Sequence, residues 1–76
     1  MKEFIEYIVK MLVDKPDEVH INEIHGERTV VCELRVGEGD LGKVIGKHGQ
    51  TANSIRTLVA AVSAKENKNA VLEILD

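Results

Sequence analysis

Aromatic side chains are almost missing from this chain, with Phe4 and Tyr7 the only two and no tryptophan. That disfavours a single-strand binder that stacks successive bases on aromatic platforms, because such a site needs several flat faces in a row. The lone cysteine, Cys32, excludes an internal disulfide, and no zinc-type spacing joins it to His20, His25 or His48. Neither a metal nor any other cofactor is expected, and a reducing interior suits the free thiol. No apolar run approaches the roughly 20 residues that a membrane-spanning helix needs. The N-terminal stretch is not a secretory signal either, since Glu3, Glu6, Lys10 and Asp14 interrupt it at helical intervals and no small-residue cleavage site follows. The expected location is the cytoplasm.

What is present is a chain of 76 residues with 43% apolar content drawn from Val, Ile, Leu and Ala. That length suits one domain over residues 1–76 with a small aliphatic core, burying roughly 60–65% of the unfolded surface. A net charge of −3 argues at first against a polyanionic partner. Its distribution reverses the impression. From Leu41 to Lys65 there is no acid, while Lys43, Lys47, Arg56 and Lys65 contribute +4; the rest of the chain carries six bases against thirteen acids, a net of −7. A basic stretch is set apart on an acidic body.

Apolar residues at Phe4, Ile5, Ile8, Val9, Met11 and Leu12 predict an amphipathic helix over 3–14, ended by Lys15-Pro16. Residues 19–24 and 29–36 read as two strands of a hairpin turning at His25-Gly26-Glu27-Arg28, with Val30, Cys32, Leu34 and Val36 on one face. Asp40 is the expected N-cap of a short helix over Leu41–Ile45 that Gly46 stops. Gln50–Ala64 predicts a longer helix with Ala52, Ile55, Leu58, Val59 and Val62 as its buried stripe, and residues 70–75 close the chain as a third strand. The expected fold is α+β in the order α-β-β-α-α-β, a three-stranded mixed sheet covered on one face by three helices.

Three glycine motifs compete for the chemistry. Gly37-Glu38-Gly39-Asp40-Leu41-Gly42 matches the dinucleotide fingerprint, but two acids would face a pyrophosphate and the chain is too short for a doubly wound sheet. Gly37, Gly42 and Lys43 have P-loop spacing, yet Val44 stands where a hydroxyl must reach magnesium. The third, Gly46-Lys47-His48-Gly49, joins two helices inside the basic stretch. Glycine lets a ligand backbone come close, and the following helix offers N–H groups near Gln50 and Thr51, so this loop is built for an anion. No nucleophile, base and orienting group can be assembled, and an enzyme is not expected. His20, His25 and Arg28 read as solvent-facing.

Gly42-Lys43-Val44-Ile45-Gly46-Lys47-His48-Gly49-Gln50, followed by Ile55-Arg56, resembles the signature of the KH domain, a module that binds single-stranded RNA and DNA. The element order is that of the type II KH arrangement, and the resemblance covers essentially the whole chain. A lone KH domain of this size resembles the KhpA family of small bacterial RNA-binding proteins. The resemblance implies that the loop 46–49 lies along the backbone of about four nucleotides. Lys47 would then meet a phosphate, His48 donate a hydrogen bond, and Gly46 and Gly49 permit close approach. Lys43 and Arg56 would add charge, and Ile45 would wall an aliphatic base groove for which Val44, Val30, Cys32 and Leu34 are further candidates.

Family likeness further implies RNA chaperone or regulatory activity linked to growth and division. It also implies a homodimer, or a heterodimer with a KhpB (Jag)-like multi-domain RNA-binding protein. Single-stranded DNA is a second expected ligand. The competing expectation is a protein-interaction module that keeps the fold but has little RNA affinity, with outward strand residues Val31, Val71 and Leu75 as its docking patch.

Overall fold

The structure, a computed structural model, describes residues 1–76. Ile5 and Val9, one helical turn apart, are fully buried and hold α1 (Lys2–Leu12) on the sheet. The helix ends earlier than the sequence predicts, before Pro16 is reached. Val13 turns extended, and the next two amides leave the helix altogether: Asp14 N–H and Lys15 N–H donate to the two carboxylate oxygens of Asp40 at 3.1 and 2.9 Å. Pro16 instead opens a single 3₁₀ turn, Pro16–Glu18.

β1 (His20–His25) and β2 (Thr29–Arg35) form the predicted antiparallel hairpin, with Ile21 opposite Leu34 and Glu23 opposite Cys32. β3 (Asn69–Ile74) pairs parallel to β2, so the sheet order is β1-β2-β3 and is mixed as expected. Between the parallel strands the chain crosses over through α2 (Leu41–Ile45), a tight turn at Lys47–Gly49, and α3 (Gln50–Lys65). The core is aliphatic and lies between the helices and one sheet face, built from Val30, Cys32, Leu34 and Leu72 below Ile5, Val9, Val44, Ile55 and Val59. No helix is long and apolar enough to cross a membrane.

Two expectations about the helices need correction. Asp40 precedes α2 but makes no side-chain cap, because both of its oxygens already accept the α1 exit amides; it is only 2% exposed. In α3 the buried stripe is Ala52, Ile55, Val59 and Ser63, and Leu58 is 48% exposed. Leu58 lies about 100° round the helix from the centre of that stripe at 3.6 residues per turn. Ser63 can be buried because its hydroxyl is satisfied: Oγ donates to Ala60 C=O and accepts from Ala70 N–H, tying the end of α3 to the start of β3. The helix then closes in a Schellman motif around Asn67 at φ 56°, with Lys68 N–H on Ser63 C=O and Asn67 N–H on Ala64 C=O.

Cys32 has no exposed surface. Burial pushes its thiol pKa up, and the Glu23 carboxylate across the strand pair adds to the rise, partly offset by the N-terminal ammonium. A raised native pKa favours the folded state below the ordinary thiol range near about 8.5 and withdraws that contribution as pH climbs through the native value. We therefore expect thiol reagents at pH 8 to label Cys32 only as fast as the protein opens, and at once in denaturant. The advantage in melting temperature of the wild type over Cys32→Ala should shrink from pH 7 to pH 10. Rapid labelling of the folded protein would contradict this placement.

Candidate nucleic-acid interface

Gly37 to Asp40 make a tight turn, closed by Asp40 N–H on Gly37 C=O at 3.0 Å, and this turn delivers α2 to the surface. The fingerprint-like glycines therefore serve a corner, and of the two acids among them Asp40 faces inward to α1 while Glu38 is exposed. α2 buries Val44 completely and leaves Ile45, its last residue, 37% exposed. Gly46 then takes φ 76°, ψ 173°, a region open in practice to glycine alone.

The loop that follows is left-handed at two successive residues, His48 at φ 56°, ψ 25° and Gly49 at φ 73°, ψ 11°. Histidine is among the few non-glycine types found there with any frequency. Lys47 and His48 are both exposed and form no ion pair or side-chain hydrogen bond. The loop's own polar backbone is partly committed: Gly46 N–H donates to Gly42 C=O at 2.9 Å, Gly49 N–H to Gly46 C=O at 3.1 Å, and Gln50 N–H to Lys47 C=O. The Gln50 amide is thus not the free helix-terminal donor that the sequence suggests.

The two bracketing glycines do different work. A Cβ on Gly46 would stand 2.7 Å from Thr51 Cβ and 2.9 Å from Thr51 N, so the loop folds back tightly on the first turn of α3. A Cβ on Gly49 would meet nothing within 4 Å. Gly46→Ala should cost about 2–5 kcal/mol, from backbone strain and overpacking together. Gly49→Ala should cost only about 1–2 kcal/mol, the backbone part alone. Thermal melts of the pair check this, and equal losses would mean that Gly46 is not packed as described.

The other basic residues are less available than the sequence suggests. Lys43 Nζ lies 3.4 Å from Asp14 Oδ2, so its charge is shared with the acidic body. Arg56 Nε donates to Leu72 C=O at 3.4 Å, which places its guanidinium along the α3–β3 seam. Lys65 sits at the far end of α3, about 22 Å from Gln50 at 1.5 Å per residue, and does not join the loop. Among the groove candidates, Val44, Val30, Cys32 and Leu34 are all core residues, 0–4% exposed, leaving Ile45 as the accessible apolar wall. Thr51 is half-buried beneath Gly46, while Gln50 is exposed.

A mixed three-stranded sheet in α-β-β-α-α-β order, with a GXXG turn between its second and third helices, defines a type II KH domain. A family model described as "KhpA/KhpB, KH domain" matches residues 2–74, and the chain belongs to that family. It is similar to the RNA-binding protein KhpA of Chlamydia trachomatis, 53% identical over 76 residues, which covers 100% of this chain and 97% of the relative. It is likewise similar to the RNA-binding protein KhpA of Clostridium perfringens, 55% identical over 75 residues (99% and 100% covered), and to that of Borreliella burgdorferi, 55% identical over 74 residues (97% and 90% covered). No solved structure matches the chain.

Proposed function

We propose that this protein binds single-stranded RNA without catalysis, gripping the backbone with the Gly46–Gly49 loop. The observation that carries the reading is the loop itself. Two unpaired donors, Lys47 and His48, stand at the tip of a turn with open space over Gly49, inside a segment free of acids. Lys47 offers charge to a phosphate, His48 a ring N–H, and Ile45 an apolar wall for a base. Lys43 and Arg56 contribute at longer range, and Thr51 supports the loop from beneath. The relatives' name, RNA-binding protein, agrees with this assignment.

Few phosphates are engaged, so one site binds weakly and useful affinity comes from joining sites. A homodimer, or a heterodimer with a KhpB-like multi-domain RNA-binding protein, would supply the second site, and the family description names both kinds of chain. Within a cell the natural role is then RNA chaperoning or post-transcriptional regulation linked to growth and division. Titrating a fluorescent single-stranded RNA at several salt concentrations tests the binding. With two to four phosphates neutralised, the slope of log K against log salt should be about −1.5 to −3, at about −0.7 per phosphate. No binding by folded protein at high micromolar concentration would sink the proposal. Competition with single-stranded DNA of the same sequence measures how far the 2′-OH is read.

A further inference from the structure

The sheet face turned away from the helices carries no covering element, and its side chains lie in ordered rows. Strand pairing aligns Ile24, Val31 and Val71 across β1, β2 and β3; Ile24 is 50% and Val71 42% exposed. Two residues along, the pairing aligns Asn22, Glu33 and Glu73. Two further along, His20 lies opposite Arg35, and a cavity of about 200 Å³ opens there between His20, Asn22, Glu33, Arg35 and Leu75. The face is therefore banded, apolar, then acidic, then basic.

The acidic band is left uncompensated. Glu33 and Glu73 are direct neighbours on parallel strands, an arrangement that costs stability when both are charged. Glu33 receives only the Asn22 amide, at 3.2 Å, and neither carboxylate has an ion-pair partner in the chain. The nearest base on this face, Arg35, donates to the Asp76 carbonyl. Nucleic acid is repelled by such a band, and a second copy stacked with its rows in the same order would set acid against acid.

We propose that this face docks a basic amphipathic helix of a protein partner, with an apolar residue and an arginine or lysine one turn apart on the docking side. Rows on a strand face repeat every two residues, about 6.7 Å, and helix positions four apart rise about 6.0 Å, so a helix laid along β2 keeps step with the bands. Its apolar residue covers Val31 and Val71, its base meets Glu33 and Glu73, and the next turn reaches the cavity by His20 and Arg35. The proposal is independent of the Gly46–Gly49 loop.

The probe is a capped helical peptide with leucine and arginine four residues apart, repeated over three turns, titrated into the ¹⁵N-labelled full chain. Amide shifts should move at Ile24, Val31, Glu33, Val71 and Glu73. A folded Glu33→Lys/Glu73→Lys variant should bind the peptide about tenfold more weakly, while its affinity for single-stranded RNA does not fall. No shifts at millimolar peptide, or equal binding of a control peptide with glutamate in place of arginine, would overturn the proposal. Shifts of these residues on adding RNA, or on concentrating the protein alone, would also overturn it, assigning the face to RNA or to a second copy.

Discussion

Lys47→Asp/His48→Asp should fold like the wild type and bind single-stranded RNA at least about 30-fold more weakly near 50 mM salt. A hydrogen bond to a charged group contributes about 1.5–3 kcal/mol, and each 1.4 kcal/mol is a factor of ten, so removing Lys47 alone accounts for most of that number. Two carboxylates set against phosphates supply the rest. The fold should not suffer, because both side chains are exposed and unpartnered, and aspartate tolerates the left-handed backbone at position 48. Circular dichroism and a thermal melt establish folding, and fluorescence anisotropy reads the binding. The salt slope should also flatten, by about 0.7 for each phosphate that the altered loop no longer neutralises. Unchanged affinity in the folded variant would remove this loop as the site.

Asp40→Ala should lower stability by about 2–4 kcal/mol, since two part-buried amides are deprived of a charged acceptor. For a domain of this size that is a fall in melting temperature of about 10–30 °C. Asp40→Asn should fall in between, because the amide keeps one acceptor oxygen but aims an NH₂ at a backbone N–H. Glu38→Ala, two residues away and exposed, is the control and should stay within about 0.5 kcal/mol. A change below about 1 kcal/mol for Asp40→Ala would mean that the carboxylate does not hold the exit of α1.

These two sites mark how far the sequence can be read. The exposed turn that carries Lys47 and His48 is legible because a GXXG turn inside an acid-free stretch is a local pattern, as are the aliphatic periodicities that predict α1, the hairpin and β3. Asp40 is misread because a local rule, an acid before a short helix, hides a partner 25 and 26 residues earlier. Lys43 reads as free for the same reason, its partner Asp14 lying in a distant turn. Leu58 shows a different limit. Helical periodicity identifies a stripe but not its centre, and the last buried position goes to Ser63, whose hydroxyl is tied to the start of β3. The banded outer face depends on the register of three strands, which alternation within each strand does not reveal.

The crossover from β2 to β3 has a thermodynamic consequence for the loop it carries. Both of its ends are fixed on adjacent parallel strands, so the conformational entropy of shaping the Gly46–Gly49 turn is given up in folding rather than when RNA arrives. Calorimetry of RNA binding should then show little of the negative heat-capacity change that accompanies coupled folding. With the Gly46–Gly49 loop as the proposed RNA site, it also ties recognition to the C-terminal strand. Loosening β3, as by Leu72→Ala in the core, should weaken RNA binding without altering any residue that meets the RNA, in proportion to the fraction of molecules whose crossover has come undone.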